Sequence, residues 1–289
     1  MNRLLGCMLL VATSGGCAGT GQDRTHLSLF VAGTDVSEPA VAVGDVAITI
    51  ERADLAFGPL YLCAGATAGD LCDTARLEWL ETVVVDTTAP EPALAGELFG
   101  TTGPVQSYMY DLGISSQRTG TEPYVLDAAS DLEGASFVVE GRAVVNGIRL
   151  PFEASIPVQQ TADTELGVPV VRKSTSEPFF RHVDMDEHGL AVRFDSAAWL
   201  RGIDFRSFVA TDTCTTGGPA IACDGSVERT CQGGSQVSSR DCDELAQVCL
   251  PAQGCAERLI IERDSEAYRS LRNALVSGGR PSFEWDYVP

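Results

Sequence analysis

The sequence predicts a mainly β protein, an antiparallel β-sandwich with one or two short helices and a small disulfide-rich insertion. Three observations carry that expectation. Apolar residues alternate at period two over several stretches, which puts them on one face of an extended strand. Helical spacing is confined to two short segments. Of 10 cysteines, six fall within residues 214–255, a density typical of small modules stapled in an oxidising compartment.

The strands follow in order. Val46, Ile48 and Ile50 alternate with Ala47, Thr49 and Glu51. Leu55 to Leu62 is an apolar run that ends at Cys63, and Leu77 to Val85, with Trp79 in it, returns from Cys72. Cys63 and Cys72 close an eight-residue loop, so a bridge between them would span a hairpin mouth. Residues 86–104 and 115–123 are rich in Thr, Gly and Pro and read as loops. Ser107 to Leu112, Val168 to Arg172 and Leu190 to Phe194 are shorter strand patterns.

The clearest element is a hairpin about Asn146-Gly147, a dipeptide that accepts the positive φ of a type I′ turn at both positions. A two-residue turn pairs Val145 with Ile148, Ala143 with Leu150 and Gly141 with Phe152, so the glycine leaves room for the ring. Pro151 and Pro157 cannot donate ladder hydrogen bonds, so the second strand reads as an edge or exposes those nitrogens.

Two helices are expected. One covers Ser196 to Leu200, capped by Asp195 or Ser196; the other covers Ser265 to Val276, stopped by Gly278-Gly279. Phe283, Trp285 and Tyr287 then alternate as a last strand. Residues 256–289 are too few for a core of their own and must complete the main unit. The organisation that follows is a leader at 1–16, a tether at 17–26, a β-sandwich at 27–213, a cysteine-rich insertion at 214–255 and sandwich completion at 256–289.

The leader has Arg3, the short apolar run Leu4 to Thr13, the small residues Ser14, Gly15 and Gly16, and then Cys17. It resembles a bacterial lipoprotein signal, although an aliphatic residue is more usual than serine three places before the cysteine. The resemblance implies a lipid on Cys17 and, with Ala18 in second place, an outer-membrane or cell-surface location. Leu4-Leu5-Gly6-Cys7 is a competing box with almost no apolar run ahead of it, and a plain secretory cut near Gly16 or Gly19 is the other alternative. Lipid on Cys17 leaves Cys63, Cys72, Cys214, Cys223, Cys231, Cys242, Cys249 and Cys255, an even set for four disulfides. Six cysteines with 8, 7, 10, 6 and 5 residues between them contain no Cys-x-x-Cys, and no histidine lies nearby, so structural zinc is not expected there.

Chemistry is signalled weakly. Forty acidic against 20 basic residues give a charge of −20, which repels phosphate backbones and argues against nucleic acid. No apolar run reaches the roughly 18 residues of a membrane span. No nucleophile elbow, zinc-protease motif, Walker loop or dinucleotide fingerprint occurs, and three histidines, His26, His182 and His188, supply few bases. The expectation is a non-enzymatic protein with no cofactor, held to a membrane by lipid and contacting an envelope or matrix partner.

One constellation offers an alternative. His182, Asp184, Asp186 and His188 alternate strictly, and on a continuous strand they would present transition-metal donors on one face. Against this, Asp186-Glu187-His188-Gly189 has turn composition, with Phe179 to Met185 and Leu190 to Phe194 as hairpin arms. Tyr108, Tyr110 and Tyr124 suit either a sugar-binding face or a core.

Overall fold

A computed structural model describes residues 23–289, except 37, 67–71, 73, 116–123, 158–169, 175–178, 187, 210–212 and 252. Strands β1 (Arg24–Gly33), β2 (Val41–Val43), β3 (Val46–Phe57), β4 (Leu60–Cys63), β5 (Ala75–Trp79) and β6 (Val83–Asp86) come first. They are followed by β7 (Ala93–Thr101), β8 (Gly103–Val105), β9 (Ser107–Asp111), β10 (Ile114–Ser115), β11 (Tyr124–Val125), α1 (Asp127–Asp131), β12 (Ala135–Val145) and β13 (Ile148–Pro157). Then come β14 (Val170–Ser174), β15 (Arg181–Val183), β16 (Gly189–Phe194) and α2 (Ser196–Leu200). The cysteine-rich stretch supplies β17 (Ile221–Asp224), β18 (Val227–Gln232), β19 (Ser235–Asp241), β20 (Val248–Leu250) and β21 (Gly254–Ala256). The chain ends with β22 (Leu259–Ile260), α3 (Glu266–Asn273) and β23 (Ser282–Trp285).

The β12–β13 hairpin has the expected register, with Val145 opposite Ile148 and Gly141 opposite Phe152. Asn146 and Gly147 take φ of 51° and 82°, the left-handed pair a type I′ turn requires. A Cβ on Gly141 would lie 2.9 Å from Phe152 Cζ and closer still to the Thr49 carbonyl oxygen. The second strand is not a bare edge, however. Counted from the turn, Pro151 sits at a non-hydrogen-bonded pair, so its nitrogen faces away from β12. Beyond it, β22 pairs in parallel at Phe152–Leu259 and Glu153–Ile260, between the two prolines, and the Ile261 N–H donates to the Glu153 carbonyl at 2.9 Å.

Two sheets pack over one apolar core. The first has eight strands in the order β14-β9-β4-β5-β7-β1-β16-β23; the second runs β2-β3-β12-β13-β22, with β6 also on β3. Phe57, Phe137, Phe152, Phe194, Trp199 and Leu29 are all buried in this shared core. Antiparallel order is the rule, but β1–β16 and β13–β22 are parallel, so both sheets are mixed.

Leu55 to Leu62 proves not to be one strand. It ends β3 in the second sheet, turns at Gly58-Pro59 and begins β4 in the first. Leu77 to Val85 makes the reverse crossing, from β5 to β6. Gly58 has φ 108°, and a Cβ there would lie 2.6 Å from the Trp79 ring, so the two crossings nest against each other. The first sheet also curls on itself. Tyr108 of β9 and Phe283 of the opposite edge strand β23 have ring centroids 4.4 Å apart, and Phe179 stands 4.9 and 4.7 Å from them.

Other expectations are corrected. Within the expected loop 86–104 lie β7 and the start of β8; the glycines there admit close strands, since a Cβ on Gly100 would collide with the Arg76 carbonyl of β5. The expected tether at 17–26 stops short, because Arg24, Thr25 and His26 already pair with Thr101, Gly100 and Phe99. The loop expected at 115–123 falls almost wholly outside the described residues. Helix α2 matches its expected bounds and is capped by Asp195, whose carboxylate accepts from the Ala198 N–H at 2.9 Å. Ser265 caps α3, which continues as a wider turn over Ala274–Gly278. The Trp199 indole N–H donates to the Gly279 carbonyl at 3.0 Å and ties the end of that turn to α2. The short helix α1 went unpredicted.

Candidate functional site

Site geometry begins with the cysteines. Cys63 and Cys72 are bridged with Cα atoms 5.6 Å apart, at the loop end of the β4–β5 hairpin. The other six pair among themselves: Cys214–Cys231, Cys223–Cys249 and Cys242–Cys255, at Cα separations of 5.4, 5.7 and 5.3 Å. Cys223–Cys249 and Cys242–Cys255 lace the sheet β17-β18-β19 to the β20–β21 hairpin, and Cys214–Cys231 ties the segment before β17 to β18. Leu250 from that hairpin is buried in the main core, and β22 follows directly into the second sheet. Cys17, the expected lipid site, and Cys7 lie outside the described residues.

Among the described residues, one group of three metal-ligand types converges: Glu228, Cys242 and Cys255. The two sulfurs are bonded to each other, and the Glu228 carboxylate accepts the Cys255 N–H at 2.8 Å. A disulfide sulfur has no thiolate to offer, so this is a structural contact.

The His182–His188 segment does not form a continuous strand face. β15 ends at Val183, and a turn at Met185–Asp186 separates it from β16. The expected hairpin arms do not pair with each other either, since β15 pairs with β8 while β16 lies between β1 and β23. His182 Nε2 and Asp184 Oδ1 approach to 3.6 Å, with the side chains 59% and 70% exposed. Asp186 is exposed within the turn and His188 is exposed just beyond it. The turn brings together a pair, not a quartet.

Tyr108 and Tyr110 belong to the core. Each is 2% exposed, their rings stack at 6.2 Å, and burial pushes the Tyr110 hydroxyl well above the ordinary tyrosine range. Neither is available to a sugar. Tyr124 lies in β11.

The structure instead exposes a row of side chains that sequence reasoning missed. On the outer face of the first sheet, His26 of β1 stands opposite Phe99 of β7, and Phe99 stands opposite Glu78 of β5. Phe99 is 59% exposed, and its ring stacks on that of His26 at 6.4 Å and 29°. The ring is a wall shared by two clefts. One, about 230 Å³, is lined by Glu78, Trp79, Leu80, Glu81, Glu97 and Phe99. The other, about 430 Å³, is lined chiefly by Arg24, His26, Glu78 and Phe99. Phe99 lay in a segment read as loop and His26 in one read as tether, so only the alternation Glu97, Leu98, Phe99 could have signalled it.

Comparison with known proteins returned no match to a family model, to a curated sequence or to a solved structure.

Proposed function

We propose that this is a non-enzymatic, lipid-anchored protein of the cell envelope whose β-structure and cysteine-rich module contact another envelope or matrix component. The observation that carries the reading is the set of four disulfides among the described residues, which belong to an oxidising, extracytoplasmic setting. A second support is the distance from the expected lipid to the fold. Only residues 18–23 separate Cys17 from the first strand, a reach of about 25 Å when fully extended. A lipid on Cys17 therefore holds the β-structure close to the bilayer, and two or three acyl chains suffice for stable anchoring.

The test is a Cys17→Ser variant expressed in the native host beside the unaltered protein. The unaltered protein should incorporate labelled fatty acid and leave the membrane only with detergent. The variant should carry no label and be recovered without detergent. A variant that still partitions with membranes, or an unaltered protein without label, contradicts the reading.

A further inference from the structure

We propose that Cys214–Cys231 is a reversible thiol–disulfide exchange site, opened by a dithiol reductant while the other three bridges stay closed. Its opening frees the segment at 213–220 and leaves the module behind it folded. The inference does not depend on the lipid anchor.

Access is the first argument. Exchange requires a thiolate to reach one sulfur of the bridge, so a disulfide buried on both sides reacts slowly. Cys63, Cys72, Cys223 and Cys249 are at most 6% exposed, which closes two of the bridges from both ends. In the third, Cys242 is wholly buried and Cys255 is partly exposed. There the Glu228 carboxylate lies within 4.8 Å of both sulfurs and repels an incoming thiolate. Of the four described bridges, only Cys214–Cys231 has both half-cystines partly exposed. It also stands apart from the buried cluster that Cys223, Cys242 and Cys249 form.

What the bridge holds is the second argument. Apart from Cys214, residues 213–219 are all exposed. Among the described residues their one hydrogen bond is internal, from the Gly218 N–H to the Thr215 carbonyl at 2.9 Å. The segment lies against the β18–β19 turn, where a Cβ on Gly234 would stand 2.6 Å from the Thr216 nitrogen. Cys214–Cys231 is therefore the tie that keeps it there. The inner bridges have a different task, since they lace the sheet to the hairpin that carries Leu250 into the main core. Cutting the outer bridge thus has a local consequence.

The chemistry closes on itself. One thiolate of the reductant attacks a sulfur of the bridge, and the other sulfur leaves as a thiolate. The second thiol of the reductant then displaces the first, which forms its own disulfide and leaves two cysteine thiols. Two electrons and two protons pass from dithiol to bridge, and an oxidised dithiol reverses the exchange.

The experiment treats the whole protein, as recovered from its host, with dithiothreitol at increasing concentration. Free thiols are alkylated, and the labelled positions are read by peptide mass mapping. Cys214 and Cys231 should label about tenfold faster than any of the other six cysteines. At that stage amide exchange should rise at 213–220 while 221–250 stays protected. Release of the whole module should require more thiol, and oxidised dithiothreitol should reclose the first bridge. In guanidinium chloride the order should vanish, because folding sets it. The double variant Cys214→Ser, Cys231→Ser should keep the other three bridges and take no label at the low thiol concentration. Opening of another bridge as early as Cys214–Cys231, simultaneous opening of all four, or lost protection across 221–250 in the first step would overturn the proposal. The labelling order of the unaltered protein decides the matter even where the variant fails to fold.

Discussion

Single residues carry much of the specificity of this fold. Gly141 is the clearest case, since a methyl there would press on both the Thr49 carbonyl and the Phe152 ring. Gly141→Ala should cost about 1–3 kcal/mol, read as a lower urea midpoint, and shortening the facing ring with Phe152→Leu should return part of it. Asp195→Ala removes the cap of α2 and should cost about 1 kcal/mol in the same assay. Tyr110 gives a pH dependence. Its folded-state pKa is raised by burial, so its contribution is fully present below the ordinary tyrosine value and is lost as pH rises above it. Between about pH 8 and pH 11 the protein should therefore lose about 1.4 kcal/mol that Tyr110→Phe does not lose, measured as urea midpoints at the two values. The Gly141–Phe152 pairing was legible in the sequence because a two-residue turn fixes every later pair. The exposure of Phe99 was not, because it depends on which neighbours a later sheet supplies.

At the scale of elements, legibility follows the same division. Local signals succeeded: the Asn-Gly turn, the Asp195 cap and the Ser265 helix all depend on residues a few places apart. The crossings at Gly58-Pro59 and between Trp79 and Val83 were hidden because an apolar run faces the same core on either side of a change of sheet. Strand β7 was hidden because its glycines, which elsewhere mark turns, serve close approach to β5. Between elements, one clamp can be tested. Glu140 and Glu153 stand directly opposite each other on β12 and β13, and Arg258, just before β22, donates to both, at 3.3 and 3.0 Å. Like charges so placed are unfavourable. Arg258→Ala should cost at most about 1 kcal/mol at low ionic strength, and the loss should shrink as salt screens the exposed pair, measured as urea midpoints in low and high salt.

For the whole molecule, stability is divided unevenly. The two-sheet core is large and aromatic, whereas the cysteine-rich stretch buries little beyond Ala222, Leu250 and its own sulfurs. Its bridges close loops with sequence separations of 17, 26 and 13 residues, each contributing about 3 kcal/mol by restricting the unfolded chain. Mild reduction should therefore release amide-exchange protection in residues 214–255 while β3, β12 and β13 stay protected. Simultaneous loss in both regions would show that the module is not separately held. The even cysteine count was visible in the sequence, but the connectivity was not, because six cysteines admit 15 pairings and only the folded arrangement chooses one. The central claim, an exported β-protein stapled outside the cytoplasm and anchored at Cys17, is tested most directly by a non-reducing peptide mass map of the protein extracted from its native envelope. The account predicts linked peptides for Cys63–Cys72, Cys214–Cys231, Cys223–Cys249 and Cys242–Cys255, together with an N-terminal peptide that begins at an acylated Cys17. Free thiols at those eight positions, or a mature N-terminus without lipid, would contradict it.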